Sequence, residues 1–246
     1  MRLLIAYILT FLGGAPLWLN AQETPLHYIW NRKGVPVYTA PSAQTVLDTL
    51  SYGTEVNIIE VRPEMVAHPL FTFPSDTVTK VYKSLSKWML IEFGNRQRGY
   101  VLNTYLLEFP TNLTARMTDY FSQLSTIVEE RNEGKTERFC NRSSYTYKNG
   151  IRYTYTDLGP CEACGHGVTE ISLPGWTLRQ AFVFITNFDT ELWDMDGKSI
   201  ESYLELVDAI EVKESYPGQL QWEHIYDLVT LTETQDGVEV KIDTIL

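Results

Sequence analysis

Positive charge is scarce in this chain of 246 residues: 20 Lys and Arg stand against 31 Asp and Glu, for a formal net charge of −11. A surface of that sign repels phosphate backbones and anionic lipid, and no basic cluster offsets it, so nucleic acid is a poor partner. The charge serves solubility, with steering of a basic partner as the alternative. Histidine is down to four residues and cysteine to three. No Gly-x-Ser-x-Gly occurs, which removes the serine-hydrolase elbow. Beyond the first residues no stretch is long and apolar enough to span a bilayer. Disorder is excluded in turn, because 44% hydrophobic and 13% aromatic residues are enough to build packed cores.

What is present begins with Met1-Arg2, a charge-free apolar run from Leu3 to Leu19, and an abrupt polar switch at Asn20-Ala21-Gln22. This is the pattern of a secretory signal peptide over residues 1–21, with the mature chain expected to start at Gln22 and to be periplasmic or secreted. An uncleaved anchor is the other reading, weakened by Gly13, Gly14 and Pro16.

From Gly34 to Leu107 the chain is a succession of short β-branched and aromatic runs fenced by Gly, Pro, Ser or Asn, the signature of small-barrel strands. Three blocks stand out: Ala40-Pro41-Ser42 after the first strand, Leu50-x-x-Gly53-x-x-Val56, and Trp88-x-x-Ile91 followed by Gly99-Tyr100-Val101 and Tyr105-Leu106. Pro41 fixes φ for a turn, Gly53 permits a positive φ between strands, and Gly99 is expected at a tight bend. In this order the blocks resemble the bacterial SH3 (SH3b) domain of cell-envelope proteins. The resemblance implies a small SH3-like β-barrel over residues 22–110 that binds peptidoglycan or its peptide stems. Residues 63–87 read as an inserted loop or extra short strand, punctuated by Pro63, Pro69 and Pro74. Ligand contacts are expected from exposed aromatic side chains framed by loops: Tyr38, Tyr52, Phe71, Phe73 and Tyr100. Trp30, Trp88 and Val101 are expected in the core.

Past Phe109-Pro110 the period changes. Leu113, Met117, Tyr120, Phe121, Leu124, Ile127 and Val128 recur at spacings of three and four, which predicts an amphipathic helix capped by Asn112 and stopped at Gly134. Strand patterns then return. Asn149-Gly150 is expected as a two-residue hairpin turn, and Asp236-Gly237 closes a second hairpin in which Gln235 faces Val238 and Leu231 faces Ile242. Thr177 and Gln180 form a capping box opening a helix over residues 178–188. Residues 111–246 are therefore expected to be an α+β domain, an antiparallel sheet with one or two covering helices, and the fold class of the whole is mainly β or α+β.

Cys140, Cys161 and Cys164 admit three readings. In an oxidising compartment Cys140 pairs with Cys161 or Cys164. Zinc held by Cys140, Cys161, Cys164 and His166 is the second, and Cys-x-x-Cys redox chemistry the third. Thiol catalysis would need Cys164 with His224. Cys164 lacks the helix opening of such enzymes, and His224 follows Glu223 where a Gly is usual. Asp194 and Asp196 resemble a solvated turn more than a glycosidase pair or calcium loop. The expectation is an exported, non-catalytic envelope binding or adaptor protein with no cofactor, no metal and no nucleic acid, and a cell-wall peptide or envelope protein as partner. A cell-wall hydrolase or thiol-dependent enzyme using Cys164 and His224 is the alternative.

Overall fold

Every strand among the described residues belongs to one of two antiparallel sheets. The computed structural model describes residues 25–73, 80–111, 116–159, 166–194, 211–216, 218–224 and 227–245; for 70–73, 80–82, 189–194, 211–216, 223–224 and 245 only the backbone is described. The expected signal peptide, Asn112, Cys161, Cys164 and Asp196 lie outside these residues.

The first sheet contains β1 (His27–Ile29), β2 (Val35–Tyr38), β3 (Val46–Leu50), β4 (Glu55–Phe73), β5 (Lys80–Phe93), β6 (Gln97–Leu102) and β7 (Leu106–Leu107). Their spatial order is β3-β2-β6-β5-β4-β1-β7, a curled sheet with β3 at one edge and β7, paired with β1, at the other. Ile29, Val37, Val56, Ile91, Val101 and Leu106 fill the concave side. Gly53 has φ +80°, as the turn requires. Gly99 differs from expectation, because it lies inside β6 and not at a bend. A side chain there would run into Val37 Cγ1, so this glycine lets β2 approach β6 closely.

Residues 63–87 are also reordered. Among the described residues β4 and β5 continue as a paired ribbon from Met65↔Lys87 to Phe73↔Lys80. Pro63 and Pro69, two of the prolines that made this stretch look like a loop, sit at irregularities of the ladder, which shifts register between Val61 and Met65 and again between Pro69 and Phe71, while Pro74 lies outside the described residues. A bulge absorbs the missing N–H of a proline without ending the strand.

The second sheet contains β8 (Ile127–Glu133), β9 (Asn141–Tyr147), β10 (Arg152–Asp157), β11 (His166–Pro174), β12 (Glu211–Tyr216), β13 (Gln219–His224), β14 (Asp227–Glu233) and β15 (Gly237–Ile245). Their order is β12-β13-β14-β15-β11-β10-β9-β8. Two α-helices accompany it, α1 (Met117–Leu124) and α2 (Leu178–Asp194). The helix expected to run to a stop at Gly134 is thus only eight residues long and ends at Leu124. Ser125 is extended at φ −162°, and the β-branched pair Ile127-Val128 opens β8 in place of a last helical turn.

Both hairpins change their turns, and only the second keeps its faces; in the first, Thr146 lies opposite Arg152 where a two-residue turn would set it opposite Tyr153. Thr146↔Arg152 leaves Lys148-Asn149-Gly150 outside the paired residues, with Tyr147 N–H donating to Ile151 O and Gly150 at φ +87°. The expected two-residue turn is therefore a longer one with glycine at the left-handed position. In the last hairpin Glu233 faces Val238 and Leu231 faces Val240, two residues from the expected register. A shift of two preserves the side of every residue, so Val229, Leu231, Val238 and Val240 are all buried together.

α2 opens with the expected capping box: Thr177 N–H donates to Gln180 Oε1 at 2.9 Å, and Gln180 N–H donates to Thr177 Oγ1 at 3.3 Å. All residues from Ala181 to Phe188 are buried, so this helix has no solvent face over two turns. One side meets the second sheet, where Phe182 stands edge-on to Trp222 at 5.4 Å. The other meets the first half of the chain: Phe184 packs against Trp30 at 5.8 Å, Asn187 Nδ2 donates to Trp30 O at 2.9 Å, and Arg179 Nη1 donates to the carbonyls of Asn103 and Thr104. Trp30, fully buried as expected, belongs to the same core as Tyr120, Phe184 and Trp222. Packing is continuous across the sequence junction at Pro110.

Candidate ligand-binding face

The outer side of the first sheet carries an aromatic surface set by strand register. Tyr38 of β2 pairs with Tyr100 of β6, Tyr100 with Leu90 of β5, and Leu90 with Glu60 of β4. Directly paired residues share a face, so these four form one cross-strand row on the side opposite Val101 and Ile91. Trp88, two residues before Leu90, joins it in the next row beside Leu102. The Tyr38 ring stands perpendicular to Trp88 with centroids 5.5 Å apart.

Arg62 extends the row. Its Nη2 donates to the Tyr100 hydroxyl at 3.1 Å, its Nη1 lies 3.0 Å from Glu60 Oε1, and its guanidinium carbon is 5.7 Å from the Tyr100 ring centre. The hydrogen bond to Tyr100 and the charge of Glu60 push the Arg62 pKa above its ordinary value, so the cation is fixed at any physiological pH. Trp88 is buried, yet its indole N–H finds no acceptor among the described residues. A donor in that state is satisfied when a ligand or water reaches it.

Two of the five expected ligand residues, Tyr38 and Tyr100, are therefore neighbours. Tyr52 is elsewhere: it packs edge-on to Trp30 at 6.1 Å, lies under Arg32 at 4.9 Å, and donates its hydroxyl to Thr111 O at 3.3 Å. That places Tyr52 where the two halves of the chain meet. Phe71 and Phe73 belong to the far end of the β4–β5 ribbon, and their side chains are outside the described set. Arg62, Glu60 and Leu90 were not anticipated. The signal was present in β5, where Trp88 and Leu90 alternate with Met89 and Ile91, so that both faces of one strand are apolar.

The cysteine region is only partly placed. Cys140 precedes β9, its N–H donates to Asp157 O at 2.8 Å, and its sulfur stands 2.8 Å from Gly159 O, where the chain leaves β10 toward Cys161. His166 Nε2 lies 3.9 Å from Asp243 Oδ1. Among the described residues no group of His, Cys, Asp and Glu is arranged to hold a metal. His224 ends β13, with its side chain outside the described set; Asp194 is the last residue of α2.

A second concavity, of about 480 Å³, lies where the Asn149-Gly150 and Asp236-Gly237 turns meet β11. Its polar groups bond to one another: Ser172 Oγ donates to Glu239 Oε1 at 2.7 Å, and Arg152 Nη2 lies 3.4 Å from Ser172 Oγ. This mutual pairing leaves the aromatic row the stronger candidate.

Comparison with protein-family models, curated proteins and solved structures finds no match for the chain.

Proposed function

We propose that this chain is an exported cell-envelope binding or adaptor protein whose first sheet recognises peptidoglycan stem peptides or another extended peptide partner. The observation that carries this reading is the cross-strand row Tyr38, Tyr100, Leu90 with Trp88 beneath and Arg62 bonded to Tyr100. Aromatic rings give broad contact area with little rotamer entropy to lose, and a guanidinium held by a tyrosine hydroxyl is pre-oriented for a carboxylate or carbonyl. The SH3b-like order of sequence blocks and the signal-peptide pattern of residues 1–21 support the same compartment. In that compartment Cys140 pairs with Cys161 or Cys164 and closes a loop around the β9–β10 hairpin, a constraint that contributes roughly 3 kcal/mol on loop-entropy grounds. Among the described residues no helix is long and apolar enough to cross a membrane.

The test is retention of the full chain on purified cell-wall material. Tyr38→Ala with Tyr100→Ala should abolish retention. Tyr100→Phe keeps the ring, loses the bond to Arg62, and should weaken binding while the fold persists. Loss of the Tyr38–Trp88 ring contact costs about 0.5–1.5 kcal/mol of stability, so the thermal midpoint is measured alongside. Unchanged retention in both variants would remove this face from consideration.

A further inference from the structure

The β4–β5 ribbon is held down on one side only. Ser86 Oγ lies 2.7 Å from Thr104 Oγ1 and Lys87 N–H donates to Asn103 Oδ1 at 2.9 Å, so Ser84 and Ser86 are buried against the 3-10 turn of residues 103–105. The opposite side is open. There the pairs Val61↔Met89, Met65↔Lys87, Ala67↔Leu85 and Pro69↔Lys83 form a stripe in which Val61, Met65 and Leu85 are 47%, 61% and 68% exposed. These pairs include two lysines and no carboxylate. Residues 61–87 carry four Lys or Arg and two Asp or Glu, inside a chain of formal net charge −11.

A counterpart of opposite character sits at the far edge of the second sheet. β8 is the outermost strand, and a register shift between Ile127 and Glu129 leaves Val128 unpaired and 61% exposed. Glu129 and Glu130 follow it directly and Glu133 ends the strand, with Arg131 bonded to Glu129. One surface is thus apolar and cationic, and the other is an apolar knob in an anionic fringe.

We propose that the exposed Val61, Met65 and Leu85 face of the β4–β5 ribbon docks on strand β8 of a second copy of this chain. The contact is heterologous: ribbon against ribbon would bring Lys83 and Lys87 onto their own copies, and β8 against β8 would do the same with glutamates. Val128 enters the stripe between Met65 and Leu85, and Lys83 and Lys87 face Glu129 and Glu130.

Sedimentation velocity over a concentration series, with charge exchange, tests this. The wild-type chain should show concentration-dependent association that weakens with salt. Lys83→Glu with Lys87→Glu, and separately Glu129→Lys with Glu130→Lys, should each raise the dissociation constant about tenfold or more. An equimolar mixture of these two variants should associate again, because both contacts between them are complementary. All four positions are at the surface, and unchanged thermal midpoints confirm that folding is intact. A chain that stays monomeric throughout, or association indifferent to the exchanges, overturns the proposal. So does a monomer that pelts down with vesicles of equal phosphatidylglycerol and phosphatidylcholine in a Lys83- and Lys87-dependent manner, which would assign the stripe to a lipid surface.

Discussion

Tyr120 shows how much one side chain holds in this fold. It is fully buried, its hydroxyl donates to Pro110 O at 2.8 Å, and its ring meets Trp30 edge-on at 6.4 Å and Phe184 at 5.3 Å. Burial pushes its pKa well above the usual tyrosine value of about 10, and burial also raises Tyr153 and Tyr147. Above that pH the unfolded chain releases phenolic protons that the folded chain retains. The stability from these groups is therefore complete below about pH 10 and declines as pH rises beyond it. Tyr120→Phe should flatten this alkaline decline while costing about 1 kcal/mol at neutral pH for the lost hydrogen bond; urea unfolding at pH 7 and above pH 10 measures both. Arg179 acts in the same core: burial lowers it to about 10, which still leaves it charged at neutral pH against the Asn103 and Thr104 carbonyls. Single residues were legible where one physical demand dominated. Gly53 needed a positive φ and Trp30 needed burial. Gly99 differs from its expectation because the demand on it comes from Val37, distant in sequence and brought near only when β2 and β6 pair.

At the scale of elements, local chemistry was a good guide to starts and a poor one to ends. The Thr177/Gln180 box marks the first turn of α2 because both of its hydrogen bonds close within four residues. Thr177→Ala should cost about 0.5–2 kcal/mol, read as a lowered urea midpoint at constant slope. The α1 periodicity ran through Ile127 and Val128 although the helix stops at Leu124, since Ile127 finds a strand partner in Tyr147 of β9 and Val128 continues β8 at a register shift. Likewise Pro63 and Pro69, read as loop punctuation, became bulges once β5 supplied a partner for β4. The cysteine element awaits peptide mapping without reduction, which should recover Cys140 joined to a peptide holding Cys161 or Cys164; three free thiols in protein purified from the periplasm would contradict the pairing.

For the whole molecule, the run from Ala181 to Phe188 was the unread clue. A helix buried on all sides must lie between two bodies, and here these are the second sheet and the Trp30 region of the first. The two halves should accordingly unfold together, with far-ultraviolet circular dichroism and tryptophan fluorescence giving coincident denaturation curves. Two separated transitions would show that the shared core contributes little. A rigid connection also means that a ligand on the outer face of the first sheet is presented in a fixed relation to the rest of the chain. The most direct measurement of that ligand face is a nuclear magnetic resonance titration of the isotope-labelled chain with soluble peptidoglycan fragments, with the Trp88 indole signal assigned by its loss in Trp88→Phe. The account predicts that the Trp88 indole N–H and the amides of Tyr38, Arg62, Leu90 and Tyr100 shift together and saturably. Shifts confined to the Asn149 and Asp236 turns, or none at all, would contradict it.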